Sequence, residues 1–275
     1  MSLNRPSPDF PMQTRFVQSE RATIEIFTVG EGPWLVMLPS LGRGVEDMEE
    51  VAHRIAQQGF SVCLPNPRGI GRSAGPVQKL TLDDLAEDVI EVIRTLTHQP
   101  VFIAGHAFGN WVSRNVATRA PDRIRGVILI AAAHNTIRPE LTQHINTCMD
   151  MRLSDEVRLA SLQAAFFAPG HDAHVWLSGW HPDVARMQRE ASQACPRHRW
   201  WQAGSAPILD LQAEQDPFAP IATAKDLVKE LGADRVQVLR IQDASHALIP
   251  EQPEAVSHGI IQFMQSILAI ANNKK

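Results

Sequence analysis

Apolar and polar positions along this chain recur with two different periods. Around Phe16 and Val17, and from Ile24 to Phe27, apolar and polar residues exchange in steps of two. That pattern predicts an opening antiparallel pair with one face in water. Residues 34–38, 60–64, 101–104 and 127–130 are instead near-continuous apolar runs. Such runs predict strands covered on both faces, hence a parallel sheet. Helix-period stretches separate them. Thr81-Leu82-Asp83-Asp84 is a capping-box-like start, and Leu82, Leu85, Val89, Ile93 and Leu96 follow on one face. Further helices are expected over about 46–58, after Gly109, near 221–231 and from about 253, with strands at 207–211 and 236–239.

Between His134 and Ala206 the alternation stops. The stretch has no strand-like run and carries Trp176, Trp180, Trp200 and Trp201. It predicts a helical lid over 135–205, inserted between two strands of a core made of 1–134 and 206–275. Most of these tryptophans are expected to pack the insertion itself. A lid above the carboxyl ends of the strands is also where an apolar pocket is walled, and Trp176 and Trp180 are the ones expected to meet substrate.

Charge adds exclusions. With 26 basic against 30 acidic residues and no basic stripe, nucleic-acid binding and electrostatic docking on membranes are not expected. The longest apolar stretch, 127–133, falls short of a membrane span, and the first residues are broken by prolines, unlike a signal segment. Cys63, Cys148 and Cys195 are an odd count at unrelated spacings, which reads as free thiols in a reducing compartment. The expectation is a cytoplasmic protein whose partner is a small molecule with an apolar portion, a homodimer being an allowed assembly.

The chemistry centres on Gly105-His106-Ala107-Phe108-Gly109, which follows a buried strand and opens a helix. In that context G-x-S-x-G mounts a nucleophile on a strained turn, and the flanking glycines give it room. Ala107 leaves the mount without a nucleophilic atom. Asp216 lies just past a later strand in a proline-containing turn, and His246 lies in the loop after the next strand. The order 107, 216, 246 is that of nucleophile, acid and base, with His246 taking a proton and Asp216 holding its tautomer. Glu214 and Asp243 are rival carboxylates, whereas the loop from Ala131 to Asn135 offers none near its start.

On these motifs the chain resembles the α/β-hydrolase superfamily over nearly its whole length. Residues 66–73, Asn-Pro-Arg-Gly-Ile-Gly-Arg-Ser, are similar to the D-x-R-G-x-G-x-S turn after the fourth strand, with Asn66 in place of Asp. That exchange is expected to affect loop anchoring more than chemistry. Residues 38–44 occupy the oxyanion-loop position. The resemblance implies an eight-stranded, mostly parallel sheet flanked by helices, with the lid inserted after the sixth strand. It also implies that the Leu41 and Phe108 N–H groups face a developing oxyanion, with Ser40 and Gly42 as alternatives to Leu41. Ser40 is further expected near the pocket. His106 and His134 should flank the pocket floor in a structural or substrate-orienting role. No metal and no organic cofactor is implied, and His171-Asp172-Ala173-His174 reads as cap and surface residues.

Three explanations of Ala107 stay open at this point. It could be an inactivating replacement of a catalytic serine. It could be native, since relatives that resemble aminoacrylate hydrolases also show G-H-A-x-G, with His246 and Asp216 activating water or moving a proton in a lyase or isomerase reaction. Or the chain could be a silent, receptor-like binder. An aspartate nucleophile, as in epoxide hydrolases and haloalkane dehalogenases, would be masked in the same way. The expected substrate is a carboxylic ester, lactone, thioester, amide or carbamate.

Overall fold

The computed structural model describes residues 11–132 and 138–272. One 8-stranded sheet organises them. Its strands are β1 Gln13–Gln18, β2 Thr23–Val29, β3 Trp34–Leu38, β4 Ser61–Pro65, β5 Val101–His106, β6 Ile124–Ile130, β7 Ile208–Ala213 and β8 Val236–Ile241. They lie in the order β1-β2-β4-β3-β5-β6-β7-β8. β1 pairs antiparallel with β2, and β2 antiparallel with β4. Every other pairing is parallel. The apolar runs explain this: β4, β5 and β7 are buried at every residue, which requires cover on both faces.

The opening pair departs from the expected alternation. β2 is largely buried, and β1, at the sheet edge, exposes everything but Val17. Phe16 on that edge lies beneath the Arg72 guanidinium, 4.6 Å from its ring centroid.

Helices close both faces. α1 Glu49–Ala56 and α9 Pro253–Asn272 cover one side, and α2 Leu82–Leu96 and α3 Phe108–Arg119 cover the other. The capping box of α2 is complete: Asp84 N–H donates to Thr81 Oγ1 and Thr81 N–H to Asp84 Oδ2. The helix expected over 46–58 is shorter, a single tight turn at Glu46–Met48 running into α1. The one expected near 221–231 is likewise divided, into a turn at Ile221–Thr223 and α7 Asp226–Leu231. A short helix, α8 Leu248–Glu251, follows β8 and was not anticipated.

Between β6 and β7 stand α4 Pro139–Met149, α5 Asp155–Ala165 and α6 Pro182–Gln193, with no strand among the described residues. Apolar residues of these helices and the turns between them, including Ile145, Phe166, Trp176 and Trp180, form a separate cluster that also takes in Phe218 and Ala247 from loops after β7 and β8. The segment therefore sits over the carboxyl ends of the strands. Trp200 and Trp201 turn away from it and join the core beneath α3. No helix among the described residues is long and apolar enough to cross a membrane.

Candidate active site

The turn from β5 into α3 carries Ala107 at φ +46° and ψ −111°. A non-glycine residue held there stores on the order of 1–3 kcal/mol, so the surroundings must enforce it. They do. Ala107 N–H donates to the Ile130 carbonyl at 2.9 Å, and its own carbonyl accepts from the Asn110 backbone and side chain. Gly105 and Gly109 make room: a Cβ on Gly105 would lie 2.2 Å from the Gly109 backbone, and one on Gly109 2.5 Å from the Leu38 carbonyl oxygen. The turn thus presses against the loop after β3.

Asp216, in the loop after β7, is buried, and its Oδ1 accepts from the Phe218 N–H at 2.7 Å. Its Oδ2 accepts from His246 Nδ1 at 2.9 Å, across from the loop after β8. The rivals differ in kind. Glu214 and Asp243 are exposed, and Asp243 lies 3.4 Å from the His171 ring. With Nδ1 committed to Asp216, the neutral His246 ring offers Nε2 as an acceptor.

His246 and Ala107 line one cavity of about 300 Å³, together with Ser40, Leu41, Phe108 and Trp180. The Gly42 N–H is spent on Gln188 Oε1 of α6 at 2.8 Å. The N–H groups of Leu41 and Phe108, by contrast, have no hydrogen-bond partner among the described residues. Both lie beside Ala107 as backbone donors, and of the two alternatives to Leu41 the Gly42 N–H is occupied while Ser40 remains. Ser40 is buried on the cavity wall.

Two residues expected at the substrate pocket are absent from the cavity lining. His106 does not line the cavity; its ring is buried behind His246, and Nε2–H donates to the His246 carbonyl at 2.8 Å. Burial, aided by the neighbouring His246 ring, pushes its pKa down to about 3, so it is a neutral structural imidazole. Trp176 does not reach the cavity either. It is 1% exposed and carries the Arg43 guanidinium 4.6 Å above its ring, with Trp180 at 4.8 Å from the same group. Arg43 also pairs with Asp47. Trp180 alone of the two shows a face to the cavity, its Nε1–H held by the Trp176 carbonyl. His134 lies outside the described residues.

Other wall residues escaped the sequence. Trp111 stands one helical turn beyond Ala107, a spacing that could have flagged it. Phe218, two residues after Asp216, stacks on His246 with ring centroids 4.3 Å apart. Phe166 and Arg189 had no sequence signal at all. His174 pairs locally with Asp172, and His171 Nε2 with the Asp243 carbonyl. Among the described residues no group of three or more His, Cys, Asp or Glu is gathered as a metal would need.

This sheet order, with helices on both faces, defines an α/β-hydrolase. The chain belongs to the family described as serine aminopeptidase, S33, whose profile matches residues 34–253. It is 24% identical over 249 residues to 3-oxoadipate enol-lactonase 2 of Acinetobacter baylyi, covering 87% of this chain and 91% of that protein. Among solved structures it is similar to a thermophilic esterase from Thermogutta terrifontis, with a TM-score of 0.75 or better, namely 0.77, at 18% identity, over 93% of this chain and 99% of that one. An E-2-(acetamidomethylene)succinate hydrolase superposes with TM-score 0.75 at 19% identity, over 93% of this chain and 100% of that one.

Proposed function

We propose that the chain is built to hydrolyse a carboxylic ester or a related carbonyl compound, that is a lactone, thioester, amide or carbamate, through His246 and Asp216, with Ala107 at the nucleophile position. The observation that carries this reading is the Asp216–His246 hydrogen bond opening onto the same cavity as Ala107. The names of the relatives, an enol-lactonase, an esterase and an acetamidomethylene-succinate hydrolase, support the substrate class.

With serine at 107, its Oγ would attack the carbonyl carbon while His246 Nε2 takes the hydroxyl proton. The Leu41 and Phe108 N–H groups would hold the oxyanion, and His246 would return the proton to the leaving group. With Ala107 there is no oxygen to attack. Water held by His246 Nε2 must then add to the carbonyl directly, its proton passing through Nε2 to the leaving group. Removing a triad nucleophile lowers kcat by roughly 10⁶-fold in a serine hydrolase, so turnover by this chain is strongly impaired.

In this reading residues 135–205 act as the lid and 1–134 with 206–275 as the hydrolase core. The three buried, unbridged cysteines support a reducing, cytoplasmic setting.

The test is Ala107→Ser, assayed with activated aryl esters and a fluorophosphonate probe. Labelling and turnover that vanish on His246→Ala support the proposal. A folded Ala107→Ser protein that shows neither labelling nor turnover overturns it. Turnover by the unsubstituted chain that His246→Ala abolishes would establish the direct water route.

A further inference from the structure

Ser40 and Leu41, on the cavity wall, begin a tight turn that Arg43 closes, its N–H donating to the Ser40 carbonyl at 3.2 Å. In a planar trans peptide the N–H and C=O point to opposite sides. The Ser40 carbonyl is taken up inside the turn, so the Leu41 N–H is directed out of it. Gly42, the third residue, sits at φ +62°, where a turn ordinarily calls for glycine. The hold on this turn comes from far along the chain. Both polar backbone atoms of Gly42 are bonded to residues in and just before α6. Its N–H donates to Gln188 Oε1, 146 positions on, at 2.8 Å. Its carbonyl accepts from the His181 N–H, also at 2.8 Å. Arg43 adds to the joint, with Nη1 donating to the Ser178 carbonyl at 3.1 Å and the guanidinium lying against Trp176 and Trp180. The helix is close: a Cβ on Gly42 would lie 2.7 Å from Ala185 Cβ.

We propose that Gln188 is a positioning residue. It fixes the Leu41–Gly42 peptide so that the Leu41 N–H faces an anion beside Ala107, and that donor is in place only with α6 seated on the turn. The anion's identity, the oxyanion of a reacting carbonyl, rests on the hydrolase reading above; its dependence on Gln188 does not. Of the contacts that hold the turn, the Gln188 bond is the one made to its middle peptide. Rotation of that peptide is what interconverts the common turn types while the ends stay closed. Gln188 is itself buried and absent from the cavity lining, so it acts through the turn and not on the ligand. An apolar side chain in its place would leave the Gly42 N–H unmet and the peptide free to turn. Trp180, Ser192 and Gln193, in or beside α6, line the cavity. A ligand there therefore presses on the same element that sets the donor.

Binding, read by tryptophan fluorescence, tests this in the chain as it stands. The matched probes are methyl benzylphosphonate, a tetrahedral monoanion, and methyl phenylacetate, its neutral planar counterpart. The phosphonate should bind at least about tenfold more tightly, as expected for hydrogen bonds to a charged group. Gln188→Met keeps the side-chain length and removes the acceptor; it should cut that preference by about tenfold or more and leave the ester's affinity nearly unchanged. Val184→Ala, which trims the core packing of α6 without touching Gly42, should lower the unfolding temperature and leave the preference as it was. In the Ala107→Ser background, Gln188→Met should lower kcat by roughly 10- to 100-fold and move KM by less than about threefold, because the oxyanion forms only in the transition state. No preference for the phosphonate in the unsubstituted chain overturns the proposal, as does a preference that Gln188→Met leaves intact. Equal losses in Gln188→Met and Val184→Ala would also overturn it, since the cause would then be general loosening. The two readings fail separately. Gln188-dependent phosphonate binding with an inert Ala107→Ser protein sinks the hydrolase and keeps the positioning role, and turnover indifferent to Gln188→Met does the reverse.

Discussion

His106 Nε2–H donates to the backbone carbonyl of His246 across 2.8 Å, and the two rings lie 5.7 Å apart. The residue before the elbow alanine thus braces the loop that carries His246, although 140 positions separate them. His106 positions His246; it does not meet the cavity.

That role has a pH signature. The folded His106 pKa is about 3, pushed down by burial, against about 6.5 for a free histidine. A depressed folded pKa means the unfolded chain binds the proton first, so stability present above pH ~6.5 is lost as pH falls towards 3. The slope approaches about 1.4 kcal/mol per pH unit. Urea midpoints for the chain and for His106→Asn, followed from pH 7.5 to 5, should converge by about 2 kcal/mol. Parallel curves would assign the acid loss to another group.

Asp216→Asn, made together with Ala107→Ser, should lower kcat by roughly 10³–10⁴-fold and move KM little, because the His246 tautomer is no longer held. Steady-state kinetics on an activated ester reads this. A drop of less than about tenfold would pass the acid role to Glu214 or Asp243.

Gly109→Ala would bring a methyl group to 2.5 Å from the Leu38 oxygen and 2.7 Å from the Pro39 oxygen, both backbone atoms with little freedom to move. A destabilisation of about 1–3 kcal/mol is expected in thermal or urea unfolding. Since the strained neighbours carry Leu41, turnover restored by Ala107→Ser should also fall in the double variant. A neutral Gly109→Ala would show that the elbow packs less closely than described.

Asn66→Asp tests why this chain departs from the D-x-R-G-x-G-x-S pattern. Asn66 Nδ2 donates to Glu25 Oε2 at 3.2 Å, and its Oδ1 accepts from the Val45 N–H. Burial pushes the Glu25 carboxyl upward, but the Arg72 and Asn66 hydrogen bonds outweigh it and hold its pKa below the usual range. An aspartate would set a second carboxylate against it. The expected loss at pH 7 is about 1–3 kcal/mol, shrinking as pH falls towards 4 and one carboxyl gains a proton. Equal stability at both pH values would count against this account.

Much of the site was legible before any fold was known. The Gly105 and Gly109 spacing marks a turn that only small flanking residues allow, and the chain order of Ala107, Asp216 and His246 follows from the order of strands that carry them. Continuous apolar runs predict the central strands because burial on two faces leaves no polar positions. The register of Leu41 against Ser40 and Gly42 was open, since sequence does not say which N–H a distant Gln188 will occupy.

By itself, then, the sequence determined the periodicities: which segments are strand or helix, where the elbow falls, and which loops bear Asp216 and His246. Tertiary structure alone decided that Trp180 and not Trp176 faces the cavity, that His106 braces the His246 loop, and that Gln188 takes the Gly42 N–H. The reason is physical. Local periodicity says which face of a helix is apolar, but what that face meets depends on how α4, α6 and the strand ends close over one another.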